Sequence, residues 1–246
     1  MSRKEKIRLD LLLVQRGLVE SREKAKRMIM AGLVEVNNHI SDKPGHLIPV
    51  SSEISLENPS LPYVSRGGLK LEAALDRFSV EVKGKTLMDV GASTGGFTDC
   101  LLQRGAEKVI AVDVGYGQLH WKIRQDPRVV VLEKTNIRYL GPDQIKEPVN
   151  GAVIDVSFIS LKLVVPSVSR LLLEDAFIVA LIKPQFEVEK DQVGKGGVVR
   201  DPSLREEVVE NLVQFFEEAD WHAEGYTPSP ILGPKGNQEY LIYLKR

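Results

Sequence analysis

Leu87-Met88-Asp89-Val90-Gly91-Ala92-Ser93-Thr94-Gly95-Gly96-Phe97-Thr98-Asp99 is the stretch that decides the fold. An apolar run passes into a turn of glycines and small polar residues, and then into a segment of helical pattern, Phe97 to Gln103. Glycines in such a strand–turn–helix let the backbone approach a ligand closely and leave the helix N-terminus aimed at it. No Gly-Lys-Ser or Gly-Lys-Thr follows, so this is not a Walker A loop, and the spacing departs from Gly-x-Gly-x-x-Gly. Tight packing of the strand on the helix would also account for the glycines.

The flanking text repeats the pattern. Strand-like runs at Thr86–Val90, Lys108–Val112, Val129–Leu132, Gly151–Val156 and Phe177–Ile182 alternate with helical stretches such as Phe97–Gln103, Leu161–Leu173 and Ser203–Glu218. Strands and helices alternating at this spacing predict βαβ units in a doubly wound, Rossmann-like α/β domain with a parallel sheet. Trp221–Tyr226 and Glu239–Leu244 read as two further strands, the last suited by its alternating Tyr240, Ile242 and Leu244 to an antiparallel edge.

Two acids narrow the ligand. Asp113 ends the second strand 22 residues after Gly91, near the offset at which a carboxylate meets ribose hydroxyls. Asp89, at the mouth of the turn, would repel a pyrophosphate but favour a cationic amine or sulfonium. S-adenosylmethionine carries both and fits better than NAD.

The N-terminus has a different grammar. Leu9, Leu12, Leu13 and Leu18 sit at helical spacing with Gly17 as the stop, and Ser21 is a good N-cap for a second helix, Arg22–Ala31, which ends at Gly32. Leu33 to Asn38 then reads as a small hairpin. Arg22, Lys26 and Arg27 fall on or near the polar face of the second helix. Residues 1–30 carry +5, so the net charge of −1 leaves −6 on the other 216 residues. A basic head on an acidic body is the asymmetry expected of a segment that meets a polyanion. Glu57–Val64, with two prolines and no periodicity, reads as a linker.

Whole-chain composition excludes several classes. The single cysteine, Cys100, rules out a disulfide framework and fits a reducing cytoplasm, and four scattered histidines make no metal cluster. Apolar runs such as Ala176–Ile182 are far shorter than a membrane span, and the charged first thirty residues do not form a signal peptide.

The N-terminal text Arg8-Leu9-Asp10, Gly17-Leu18-Val19, Ser21-Arg22, Ala25, Ile29, Gly32-Leu33-Val34, Val36-Asn37 and Lys43-Pro44-Gly45 resembles the S4 RNA-binding domain, departing from it at Asn38, where glycine is usual. Together with Val64-Ser65-Arg66-Gly67-Gly68-Leu69-Lys70-Leu71, Asp89 to Asp99, Asp155-Val156-Ser157-Phe158-Ile159-Ser160 and Lys183-Pro184-Gln185-Phe186-Glu187, it makes the chain resemble the TlyA (hemolysin A) family. In that family an S4 domain precedes an FtsJ-like ribosomal RNA 2′-O-methyltransferase. The implied division is an S4-like domain over 1–58, a linker over 59–64 and a class I methyltransferase domain over 65–246.

The resemblance implies a Lys-Asp-Lys-Glu tetrad at Lys70, Asp155, Lys183 and Glu239, with Lys183 as the base that takes the 2′-hydroxyl proton. Lysine can do this only as the free amine, a form that burial and the like charge of Lys70 favour and that Asp155 and Glu239 oppose. It implies S-adenosylmethionine contacts from Asp89, Gly91, Ala92, Ser93, Thr94, Gly95, Gly96, Phe97, Asp113, Asn136 and Asp155, with Asn136 near the adenine. It implies ribosomal RNA or ribosomal subunits as partner, bound through Arg8, Arg22, Lys26, Arg27 and Arg66, and no metal or membrane. The glycine-bearing stretch Glu187–Asp201, with Lys190 and Lys195, is a candidate loop to close over RNA. Three rival readings remain at this point: an assembly factor that no longer catalyses, a membrane-lytic protein, and a dehydrogenase, the last disfavoured by Asp89 and the glycine spacing. The resemblance also implies cytidine 2′-hydroxyls in the RNA of one or both subunits as the methyl acceptors, while oligomeric state, subunit and the exact target nucleotide are left open.

Overall fold

The computed structural model describes residues 6–37, 39–56, 62–189, 191–194 and 196–246. Asn38, Lys190, Lys195 and most of the expected linker lie outside the described residues.

Among the described residues the N-terminal module holds two helices, α1 (Leu9–Gln15) and α2 (Arg22–Met30), and five short strands: β1 (Lys6–Arg8), β2 (Val34–Val36), β3 (His39–Ile40), β4 (Leu47–Pro49) and β5 (Ile54–Leu56). β1 pairs antiparallel with β4, and β2 lies between β3 and β5. Ser21 caps α2 as expected: its backbone is extended and its Oγ accepts the Lys24 N–H at 3.1 Å, a cap worth about 1 kcal/mol. Gly17 and Gly32 both take positive φ at the helix ends. Leu9, Leu12, Leu13, Val19, Ala25, Ile29, Val34 and Ile48 form a core of their own.

The larger domain opens with α3 (Gly67–Arg77) and continues β6 (Thr86–Val90), α4 (Gly96–Gln103), β7 (Lys108–Val112), α5 (Trp121–Arg124), β8 (Val129–Leu132), β9 (Gly151–Ile154), α6 (Leu161–Ser169), β10 (Phe177–Ile182), α7 (Pro202–Glu218), β11 (His222–Pro228) and β12 (Tyr240–Lys245). Its seven strands lie in the order β11-β12-β10-β9-β6-β7-β8. β10, β9, β6, β7 and β8 are parallel. The chain winds from β6 out to β8 and then returns to β9, so the order reverses between β6 and β9. In open α/β sheets such a reversal leaves a crevice at the C-terminal strand ends, where ligands bind.

Apolar cores cover both faces of the sheet. Met88, Val90, Ile154, Ile178 and Ile182 pack with α6 and α7 around Phe216 and Trp221 on one side. Leu87, Val109, Val153, Val179 and Leu181 pack with α3 and α4 on the other. Each such fully buried side chain is worth roughly 1.5–3 kcal/mol.

The last strand corrects one expectation. β12 is antiparallel, but it lies between β10 and β11 rather than at the edge. Ile242 and Leu244 enter one core while Leu241 and Tyr243 enter the other. Tyr240 to Leu244 is a continuous apolar run, the pattern of a strand covered on both faces; alternation described only half of it. Among the described residues no helix is long and apolar enough to cross a membrane.

Candidate active site and nucleic-acid interface

β6 delivers the glycine turn to the crevice. Gly91 takes φ +87°, and a Cβ there would stand 2.4 Å from the Asp155 carbonyl oxygen at the end of β9. Gly95, at φ +95°, is pressed against Leu119, and a Cβ on Gly96 would strike Ser65 Oγ at 2.1 Å. The three glycines therefore join β6 to β9, to the 114–120 loop and to the start of α3. Packing is part of their reason, and the same close approach leaves the turn open toward a cavity of about 580 Å³.

That cavity is lined by Gly91, Ala92, Ser93, Thr94, Gly96 and Phe97, and by all four tetrad positions. The four form two ion pairs. Lys70, in the first turns of α3, meets Glu239 at 2.6 Å in a nearly solvent-free contact. Gly233 makes room for that carboxylate, since a Cβ there would lie 2.1 Å from Glu239 Oε1. Lys183, just past β10, meets Asp155, just past β9, at 2.5 Å, and also donates to Ser157 Oγ at 2.9 Å. Burial alone would raise the Asp155 carboxyl, but Lys183 and Lys70 outweigh it and hold the group below its ordinary value.

The other acids are placed differently. Asp113 stands at the end of β7, where Oδ2 accepts the Ser93 N–H at 2.7 Å and Oδ1 the Gly115 N–H at 2.6 Å. It borders a small second cleft with Gln118, Leu119 and Glu133. Asp89 does not reach the cavity. It is fully buried beneath the turn and accepts the Thr98 hydroxyl at 2.6 Å. Burial pushes its carboxyl up to about 7, so it is a weak source of negative charge for a ligand. Asn136 is exposed and caps the short 3-10 turn Ile137–Tyr139, its Oδ1 accepting the Arg138 N–H; it borders neither cavity.

The basic residues divide into two groups. Arg8 forks onto both oxygens of Asp10 at 2.9 Å, and Arg22 Nε reaches Oδ2 at the same distance. Asp10 is wholly buried, and the hydrogen bond from Arg8, then that from Arg22, hold its carboxyl down at about 2 against the cost of burial. Arg8 and Arg22 are thus tied into the fold, a demand the sequence did not advertise. Lys26 and Arg27 carry no such bond, and Arg27 is exposed. Arg27 lies close enough to His120 to help lower that imidazole's pKa, after burial.

Arg66 has its guanidinium against Gly32 of the N-terminal module: a Cβ on Gly32 would stand 3.1 Å from Arg66 Nε. Met30, Gly32, Ile40 and Lys43 of the small module share the cavity wall with Arg66. The module that carries the basic helix therefore forms one lip of the site.

Several lining residues were not singled out from sequence. Ser157 holds Lys183. Phe158, 90% exposed and at φ +66°, meets Phe186 in a tilted ring contact, centroids 4.9 Å apart and planes at 47°. Asn237 accepts the Val199 N–H and donates to the Gly197 carbonyl, fastening part of the candidate closing loop to the segment that ends at Glu239. Ser157 and Phe158 stood within a quoted motif; Asn237 acts across 40 residues of chain, a distance local pattern does not register. Tyr63 and Val64, read as linker, are held by the larger domain: Tyr63 packs on Gly68 and donates to Glu72, and the Val64 N–H donates to Asp99.

Comparison with known proteins matches this architecture. A family model described as FtsJ-like methyltransferase matches residues 63–246, and one described as S4 domain matches residues 7–54. The 16S/23S rRNA (cytidine-2'-O)-methyltransferase TlyA of Mycobacterium tuberculosis is 48% identical over 97% of this chain and 89% of its own length. Hemolysin A of Brachyspira hyodysenteriae is 42% identical over 96% of this chain and 99% of its own. A solved structure of a Streptococcus thermophilus protein, named as a hemolysin, superposes with a TM-score of 0.77 at 46% identity, covering 99% of this chain and 90% of that one.

Proposed function

The chain belongs to the FtsJ-like methyltransferase family, with an S4 domain ahead of the catalytic fold, and from that premise we propose that it methylates ribose 2′-hydroxyls of ribosomal RNA, on cytidine, using S-adenosylmethionine. The observation that carries this reading is the meeting of two ion pairs, Lys70–Glu239 and Asp155–Lys183, on one cavity beside the glycine turn.

The residues present suit the cofactor. Gly91 brings backbone to the cavity wall where any side chain would collide, the volume is that of an ordinary small-molecule site, and Asp155 presents an anion at the strand ends. Gly91 to Phe97 and Asp155 would hold the methionine end. Each Asp113 oxygen that accepts a backbone N–H retains a second lone pair for a ribose hydroxyl. Asp89 supports the turn from beneath. When bound, the cofactor supplies a methyl group already activated by a positive sulfur.

The chain's own work is then to align and deprotonate the nucleophile. Lys183 is the base. Asp155 and Ser157 fix its Nζ from two directions, and Asp155 stabilises the ammonium that forms when the 2′-hydroxyl proton is taken. The Lys70–Glu239 pair is a rigid charged wall that fixes the direction of approach. General-base help is worth about 10²–10⁴-fold, leaving much of the rate to alignment. Lys26, Arg27 and Arg66 meet phosphates, a contact that gives affinity without reading a base. Incubating the protein with labelled S-adenosylmethionine and ribosomal subunits, then mapping the labelled nucleotides, tests the reading: label on a ribose 2′-oxygen supports it, and cofactor binding without labelled RNA refutes it.

A further inference from the structure

Glu187 closes the Lys183-Pro184-Gln185-Phe186-Glu187 motif, yet it touches neither tetrad pair. It is partly exposed, and its carboxylate spans from the turn after β10 to the turn after β9. Oε2 accepts the Ser160 hydroxyl at 2.6 Å and Oε1 accepts the Leu161 N–H at 2.9 Å. Ser160 is itself the N-cap of α6, its Oγ accepting the Lys162 N–H.

The two turns are joined in order along their length. Asp155 meets Lys183, Ser157 meets the same Nζ, the Phe158 ring tilts against Phe186, and Ser160 with Leu161 meets Glu187. The first two rungs contain the proposed base, and Ser160, Leu161 and Glu187 of the last lie outside the cavity lining. Parallel strands β9 and β10 end at Ile154 and Ile182, so beyond them no sheet hydrogen bond holds the turns together. Phe158 is at positive φ, a conformation that costs a non-glycine residue free energy and persists only where neighbours hold it.

We propose that Glu187 is a positioning residue of the methyl transfer: by bridging the turn that carries Asp155 and Ser157 to the turn that carries Lys183, it sets the distance at which the base is held. This rests on the methyltransferase reading above, but the bridge itself does not. Burial raises the carboxyl above its ordinary pKa, with the Ser160 and Leu161 bonds acting against that rise. Glutamine can replace it, accepting the Leu161 N–H through its oxygen and donating to Ser160 through its amide.

The test compares Glu187→Ala, Glu187→Gln and Ser160→Ala with the unchanged chain in methyl transfer and in amide hydrogen exchange. Displacing a catalytic group by about 1 Å costs on the order of 10²-fold. Glu187→Ala is expected to lower kcat by about 10–100-fold with the RNA KM within about twofold, and to speed exchange across residues 156–161. Glu187→Gln is expected to recover most of both. A purely structural role would lower the folded fraction and leave kcat per folded molecule intact, which overturns the proposal. So does unchanged exchange across 156–161. If Glu187→Ala does not fold, Ser160→Ala carries the same two readouts. If the unchanged chain transfers no methyl group, the methyltransferase reading fails and the exchange comparison alone decides the bridge.

Discussion

Lys70 Nζ stands 2.6 Å from a carboxylate oxygen of Glu239, although 169 positions separate them in the chain. The contact closes α3 onto the last strand and leaves one carboxylate oxygen of Glu239, Oε1, without a hydrogen-bond partner. A charge buried this way is costly once its partner is gone, by about 3–5 kcal/mol. Glu239→Ala should therefore lower the unfolding free energy by about 3 kcal/mol in a urea titration. Lys70→Met with Glu239→Leu should regain most of that stability while remaining unable to transfer methyl groups. A single variant as stable as the unchanged chain would contradict the account.

Gly91→Ala should fail at the turn. The new methyl would lie 2.4 Å from the Asp155 carbonyl oxygen, on a backbone at φ +87°, so either β6 and β9 part or the turn rearranges. Calorimetric titration with S-adenosylmethionine should show affinity reduced by at least about tenfold, the scale of 1.4 kcal/mol of strain. Normal affinity would place the cofactor elsewhere.

Two buried acids give opposite pH responses. Burial raises Asp89 to about 7 in the folded chain, against 3.8. Between those values the unfolded chain has released a proton that the folded chain keeps, so the contribution of Asp89 to stability is full below 3.8 and is lost as pH rises through about 7. Asp10 is lowered to about 2, so its contribution is present above 3.8 and is lost as pH falls toward 2. Asp89→Asn should be more stable than the unchanged chain at pH 8 and lose that advantage at pH 4; Asp10→Asn should be less stable at pH 7. Unfolding midpoints across pH check both, and parallel curves for Asp89→Asn and the unchanged chain would contradict the first.

The basic residues of the small module should separate into two phenotypes. Lys26→Ala with Arg27→Ala should flatten the salt dependence of RNA binding by about 1.4–1.8 units of log–log slope and leave stability alone. Arg8→Ala strips the buried Asp10 of its fork and should instead destabilise the module, with RNA binding lost only as folding is lost. Filter binding over a salt series, alongside thermal unfolding, distinguishes them. An unchanged slope for the Lys26 and Arg27 pair would remove the S4 module from RNA binding.

The winding of the sheet was legible because β6, β7, β8 and β10 are short apolar runs between clear turns; their ends fall where the sequence puts them. Ser21, Gly17 and Gly32 were legible for the same reason, since caps are local. What escaped was non-local. β12 is interior because both faces of Tyr240–Leu244 find cores, one with Trp221 and the other with Phe78 and Phe177. Asp89 faces the layer beneath the turn, a direction that a strand's pattern alone does not fix. Arg8 and Arg22 are bound by Asp10, a charged residue in the first turn of α1 that the fold nonetheless buries completely. The tetrad positions were marked by strand ends and by resemblance, but their division into Lys70–Glu239 and Asp155–Lys183 emerges only when four distant segments meet.

In the proposed reaction Lys183, held by Asp155 and Ser157, takes the proton from a ribose hydroxyl. Lys183→Ala is to be measured in the labelled S-adenosylmethionine assay with ribosomal subunits, with cofactor and RNA binding determined on the same preparation. The variant is expected to bind both and to transfer methyl groups at least about 10²-fold more slowly. Turnover within a few-fold of the unchanged chain would contradict it.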